Sequence, residues 1–211
     1  GATLVALDKL TGKTIWKSAV PGDPKAAYSS AIAIDLGGQR QYVQFTQKGV
    51  VGVAAKDGAF LWRYDAPANT FGINISTPLH HDGQVFAASA YGMGGGLVKL
   101  TRAADGSVQA QEVYFTNKMQ NHHGGMVLVD GHVYFGNGHN QGLPMCVDFL
   151  TGKVAWGGDI RNAGSGSAAV MYADGRLYFR YENGVVVLVE ASPSGYVEKG
   201  SFAIQEVRDP S

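Results

Sequence analysis

The chain has 211 residues, with 17 basic and 17 acidic side chains and a formal net charge of zero at pH 7. That length suffices for one substantial core. The charge balance argues against a general nucleic-acid or anionic-membrane surface, since both need a basic excess. The single cysteine, Cys146, excludes an internal disulfide; it lies in an apolar run and reads as a small buried hydrophobe. No stretch approaches the ~20 apolar residues of a membrane span, and no signal-peptide pattern is present. The first residue is Gly1 and not Met, which reads as a processed form or a piece of a longer protein.

Taken in order, residues 4–16 (LVALDKLTGKTIW) read as an apolar strand, a polar turn closed by Thr11-Gly12, and a second strand ending in Trp16. The same grammar returns at 51–62 (VGVAAKDGAFLW) and 145–156 (MCVDFLTGKVAW), with weaker copies at 97–115 and 185–202. The turn glycines Gly12, Gly58, Gly106, Gly152 and Gly195 are separated by 46, 48, 46 and 43 residues. A period near that length over the whole chain marks a repeat architecture. The 30 glycines sit largely at turns in this rhythm, so they read as hairpin punctuation and not as low complexity.

Each period carries a second signature, an apolar run that meets Asp-Gly and continues into an aromatic strand. Its copies begin at Ser29, Ser76, Gly124 and Ala168, and Asp35, Asp82, Asp130 and Asp174 keep gaps of 47, 48 and 44 residues. Asp-Gly between two strand-like runs is a strong hairpin signal, because both turn residues tolerate positive φ. In the first copy the turn is expected to be longer, LGGQR, and bulged. One period is therefore four strands: a small-residue run such as 29–34, an aromatic run such as 42–45, a valine run such as 185–189, and a strand ending in Trp or Phe. No segment holds a 3.6-residue apolar period, so helix is not expected. Four-stranded antiparallel units at this spacing predict an all-β protein, a β-propeller. The expected domain is a single propeller over 1–211, with a half-blade at 1–18 and full blades at about 27–64, 74–116, 122–158 and 166–204. Four blades and a half leave a ring open, and the tail, 203–211, offers at most one closing strand. The chain is thus expected to form part of a larger ring, completed by N-terminal blades of a parent protein or by a second copy.

The pattern A-x-D-x-x-T-G-x-x-x-W, present from Ala6 through Asp8, Thr11 and Gly12 to Trp16, resembles the repeat of quinoprotein-type propellers, the PQQ-like repeat family. Residues 146–156 (CVDFLTGKVAW) match it nearly as well. The family includes quinone-dependent alcohol dehydrogenases, a propeller lipoprotein of the outer-membrane protein assembly machinery and many exported bacterial proteins. The resemblance implies that Trp16, Trp62 and Trp156 pack between neighbouring blades, with Phe115 and Phe202 as substitutes, and that Gly12, Gly58 and Gly152 are structural turn residues. It implies an exported, periplasmic or cell-envelope location. It also brings PQQ with calcium into view as a cofactor, although one cysteine cannot form the adjacent pair seen in many such dehydrogenases and no acidic residue matches their calcium ligands.

In the usual strand order, the loop entering strand one and the loop joining strands two and three share one face of the propeller. Asp-Gly and Thr-Gly turns share the other. On the first face lie 91–96 (YGMGGG), 119–123 (MQNHH) and 136–142 (GNGHNQG). Aligned on the Asp-Gly turn, Ala27-Tyr28, Asn74-Ile75, His122-His123 and Gly166-Ser167 are equivalent. The candidate ligand-binding residues are therefore Asn74, Tyr91, Asn121, His122, His123, His139 and Asn140, expected around one axial mouth. They either satisfy loop backbone around a water-filled channel or hold a polar or organic ligand. Imidazole also suits transition metals, but neighbours on a strand point to opposite faces, so the adjacent pair His122-His123 chelates poorly and no metal site is expected. His80-His81 fall at the opposite face as solvated turn residues, and Asn74-Ile75-Ser76 matches a glycosylation acceptor. The functional expectation is a non-enzymatic module that binds a protein or small ligand at its mouth. The alternative is part of a PQQ-dependent dehydrogenase or other redox enzyme.

Overall fold

Apolar alternation and positive-φ turns account for the fold of residues 2–204, the part described by the computed structural model. The expected closing strand of the tail lies, from residue 205 onward, outside the described residues. These residues contain eighteen strands and no helix. The chain divides into two compact units, Gly1–Gln120 and Asn121–Ser211.

In the first unit, β1 (Leu4–Leu7) and β2 (Thr14–Ser18) form a two-stranded sheet. β3 (Ile32–Leu36), β4 (Gln39–Thr46), β5 (Gly49–Ala54) and β6 (Phe60–Tyr64) form a four-stranded sheet in chain order. So do β7 (Leu79–His81), β8 (Gln84–Ser89), β9 (Gly94–Arg102) and β10 (Val108–Thr116). In the second unit, β11 (Met126–Val129), β12 (His132–Asn137), β13 (Leu143–Asp148) and β14 (Val154–Gly157) make one such sheet. β15 (Ala168–Ala173), β16 (Arg176–Tyr181), β17 (Val185–Glu190) and β18 (Glu198–Ala203) make the other. Four antiparallel four-stranded meanders led by a half-sheet are the all-β, bladed architecture of a β-propeller.

The Asp-Gly turns are two-residue hairpins of the kind that needs positive φ at both positions. Asp82-Gly83 has φ of 46° and 71°, Asp130-Gly131 46° and 75°, and Asp174-Gly175 48° and 72°. The first copy differs from the expected long, bulged turn. Leu36 pairs directly with Gln39, and Gly37-Gly38 take the two turn positions at 52° and 78°. A glycine pair meets the φ requirement without strain, so Asp35 is released into β3, where its carboxylate pairs with Arg40 at 2.6 Å.

The Thr-Gly turns have a different chemistry. Asp8 Oδ1 accepts from the Thr11 amide and the Thr11 hydroxyl, both at 2.8 Å, and the Gly12 amide returns to the Asp8 carbonyl. Asp148 repeats this with Thr151, at 2.7 Å from both amide and hydroxyl. These donors hold both carboxyls below the ordinary aspartate value, led in each case by the threonine hydroxyl. The repeat's Asp and Thr are thus one local cap, and the glycine lets the chain turn back at positive φ.

Third strands are buried on both faces, which explains their nearly continuous apolar sequence. β5 is buried at every position and β13 at all but the last. Within the first unit one core joins Val43, Phe45, Val50, Trp62 and Tyr64 of one blade to Val85, Val98 and Leu100 of the next. Within the second, Tyr134, Cys146 and Trp156 pack with Leu177, Phe179, Val187 and Val189. The Trp16 indole donates to the Ala55 carbonyl at 3.0 Å, and the Trp156 indole donates to the Ser192 carbonyl at 2.8 Å. Both bonds reach from one sheet to the turn of the following one. Phe115 and Phe202, at the matching positions, are 36% and 55% exposed.

Candidate functional site

In the second unit the candidate residues come from two loops of one blade. The segment before β11 carries Asn121, His122 and His123, and the β12–β13 loop carries His139 and Asn140. Asn121 is fully buried and frames both loops: its Nδ2 donates to the carbonyls of Gly125 at 3.3 Å and Gly136 at 3.1 Å, and its backbone bridges Gly138. The loops are therefore held together by a side chain that is itself unavailable to a ligand.

The three histidine rings cluster, one pair stacked and the other tilted at 44°. The His122 ring lies 4.4 Å from His139, nearly parallel at 23°, and 4.5 Å from His123. His122 Nδ1 meets Ser167 Oγ at 3.0 Å, and His123 Nε2 meets Glu182 at 2.9 Å, an ion pair when that imidazole is protonated. Ser167 and Glu182 belong to the next blade, so the imidazoles span two sheets of this unit. The stacked His122 and His139 rings hold their nitrogens side by side and not around one point. Among the described residues no group of three or more His, Cys, Asp and Glu side chains is arranged to hold a metal.

Burial holds the His122 pKa below its ordinary value, and the neighbouring His123 and His139 add to the effect; Glu182 and a hydrogen bond that the ring donates to the Asn140 side chain oppose it. The folded state thus prefers neutral His122. Where the unfolded chain binds a proton and the folded one does not, stability rises with pH. The contribution is complete above the ordinary value near ~6.5 and is lost as pH falls through the lowered one. Urea midpoints measured from about pH 7.5 down to about pH 5, the histidine range, should fall more steeply for the wild type than for His122→Gln. Equal slopes would remove His122 as the source.

Asn74 and Tyr91 belong to the first unit. Asn74 is completely buried. Its Oδ1 accepts from the Asn69 amide at 3.1 Å and Asn69 Nδ2 at 3.0 Å, and its Nδ2 donates to the carbonyls of Thr46 at 2.9 Å and Gln47 at 3.1 Å. It braces loops, and in the folded protein its nitrogen is unavailable for glycosylation. Tyr91 sits at φ 60° in the β8–β9 connection, its ring 5.4 Å from Phe71. His80 is half-buried and not solvated as its turn position suggested; burial lowers its pKa first and His81 second, and Nε2 is buried without a hydrogen-bond partner.

Sequence reasoning placed Ser167 at an equivalent position but missed Glu182. The signal was available, because Glu182 begins the loop joining strands two and three of the last blade, the same class of loop that holds His139. A second missed feature is a cavity of about 220 Å³ between the 140–144 loop, the 160–166 segment and Tyr181.

Blades of this pattern, with their threonine-capped turns and inter-sheet tryptophans, define a PQQ-like β-propeller repeat protein. The chain belongs to the family whose model is described as outer membrane protein assembly factor BamB, which matches residues 1–158. No curated protein matches it significantly. Among solved structures it is similar to BamB from Moraxella catarrhalis, at 15% identity and a TM-score of 0.63, over 93% of this chain and 54% of that one. It is also similar to the quinohemoprotein alcohol dehydrogenase ADHIIG from Pseudomonas putida HK5, at 17% identity and a TM-score of 0.60, over 89% of this chain and 35% of that one. The computationally designed Ika8 protein matches at 12% identity and a TM-score of 0.61, over 87% of this chain and 51% of that one. At these identities the likeness shows the fold, and the chain spans about half or less of each structure's length.

The quinone and calcium used by dehydrogenases of this fold family require a donor set that is not present among the described residues. Cys146 is fully buried in β13, and burial pushes its thiol up to about 11. Asp8 and Asp148 are spent on turns and Glu182 on a single ion pair, and no three His, Cys, Asp and Glu side chains among the described residues gather to hold a metal. The residues present do not fit a PQQ–calcium site.

Proposed function

We propose that the chain is a non-catalytic binding module of the cell envelope, and that its loop face in the second unit receives a protein or small ligand on His122, His123, His139 and Asn140. The observation that carries this reading is the imidazole cluster, with His139 stacked on His122 and His123 tilted against it. Three aromatic, polar rings are gathered by two loops, braced from behind by buried Asn121 and tied laterally to Ser167 and Glu182. Such a surface offers π faces and hydrogen-bond groups without an activated nucleophile or a metal cage. The family's description as an outer membrane protein assembly factor supports both a binding function and an exported, periplasmic location. The same reading makes residues 1–211 one arc of a larger ring, completed by further blades of its parent or by a second copy, because the chain covers about half of the Moraxella structure.

A photoreactive residue in place of His123, compared with one in place of Lys153 on a Thr-Gly turn, tests the assignment of the face. Cross-linked adducts in intact cells are expected at 123 and not at 153. Adducts at neither position, or equally at both, would remove the binding face. Titration of the purified chain with PQQ and calcium tests the absence of catalysis: stoichiometric binding accompanied by alcohol-dependent dye reduction would establish the dehydrogenase reading instead.

A further inference from the structure

The cavity beside the histidines has its own chemistry. Its apolar side is Leu143, Pro144 and Ile160, and its floor is Tyr181, which is 1% exposed. Arg161, an exposed residue, is the only charged residue lining it. The guanidinium has no hydrogen-bond or ion-pair partner among the described residues, in contrast to Arg40 and Arg63, which both hold carboxylates. No acidic side chain lines the cavity. Two carboxylates stand behind the lining and both are engaged: Glu182, beside Gly166, pairs with His123, and Glu198 accepts from the Tyr196 hydroxyl at 3.0 Å.

The wall is also preformed. Asn162 Nδ2 donates to the Tyr181 hydroxyl at 2.8 Å, and its Oδ1 accepts from the Gly164 amide at 2.8 Å, so one side chain fixes the 160–166 segment over the ring. Gly164 lies so close to the Tyr181 ring that a Cβ there would overlap it. A side chain at this position would displace the segment and close the space. Burial pushes the Tyr181 hydroxyl up to about 12, so the floor stays neutral.

The geometry points to this cavity as a binding site for a small organic carboxylate of about amino-acid size, its aliphatic body against Leu143, Pro144 and Ile160 and its carboxylate on Arg161. A planar guanidinium with no acidic neighbour in the lining presents a fork that matches a carboxylate in two parallel hydrogen bonds. The volume is below the ~300–1,000 Å³ of drug-sized pockets, which limits the occupant to one short chain. This goes beyond the binding face proposed above: the two share only Asn140, at the rim, so either can fail without the other.

The test uses 4-methylpentanoate and its neutral isostere 4-methylpentanamide, titrated into the 15N-labelled chain and followed by amide shifts. Saturable shifts of Gly142, Gly164 and Gly166 are expected with the carboxylate. The amide, and the Arg161→Gln variant with the carboxylate, should each bind at least about tenfold more weakly, since losing one charge-assisted pair costs roughly 1.5–3 kcal/mol. His122→Ala should leave the carboxylate affinity unchanged. Absence of saturable shifts, equal binding of acid and amide, or full affinity in Arg161→Gln would each overturn the site. A parallel loss in His122→Ala would instead place the carboxylate on the histidine face.

Discussion

Replacing Trp62 by alanine is expected to destabilise the protein by roughly 3–5 kcal/mol, the range for emptying a large buried aromatic site. The indole is 3% exposed and sits in the core joining two blades of the first unit. Its Nε1 donates to Gln41 Oε1 at 2.8 Å, and Gln41 is itself fully buried on β4. Truncation therefore opens a cavity and removes a hydrogen bond from a buried amide, and the two penalties act together. Urea unfolding followed by circular dichroism gives the number. A change under ~1 kcal/mol would mark Trp62 as a surface residue.

The second large effect is expected at Asn74. Asn74→Ala deletes four hydrogen bonds at a completely buried position and strands the Asn69 amide and the carbonyls of Thr46 and Gln47. Each buried group left unpaired costs about 1–3 kcal/mol before relaxation, so a total loss of roughly 2–4 kcal/mol is expected from the same unfolding measurement. Gln141→Ala, on an exposed loop of the other unit, serves as the contrast and should stay within about 0.5 kcal/mol. If Asn74→Ala behaved like Gln141→Ala, the loop would be held by other groups.

These two residues show what was legible in the sequence. Trp62 recurs with the repeat, and recurrence reports packing, so both its burial and its strand could be read. The Asp-Gly turns were legible for a related reason: positive φ at two successive positions restricts residue choice severely. The first turn was misread because Gly37-Gly38 meets the same demand two residues beyond Asp35, and the ladder of aspartates concealed it. Asn74 was a different kind of error. Alignment placed it level with His122, but register along a repeat says nothing about which way a side chain turns. An asparagine amide, with two donors and an acceptor that match backbone groups, is well suited to staple a loop, and both Asn74 and Asn121 do so. Arg161 escaped notice because residues 159–165 fall between two expected blades, 122–158 and 166–204, and match no repeat element. Its importance comes from lacking a carboxylate partner, which only the three-dimensional arrangement of side chains reveals.

The meander order of every sheet has a consequence for how the chain reaches its native state. Each strand pairs only with the strand before or after it in sequence, across turns as short as two residues. Loop-closure entropy is smallest for such short separations, and hairpins of this kind form in about 1–10 μs. An all-β protein ordinarily folds slowly because its pairings are remote in sequence; among the described residues the hydrogen-bonded ladder within a sheet involves no remote partner. A blade can therefore zip up as soon as its own four strands have left the ribosome, well before the polypeptide is finished. What must wait, within each unit, is the core between its two full sheets, which needs the second of them, so the nascent chain for a time carries one freshly made sheet with an uncovered apolar side.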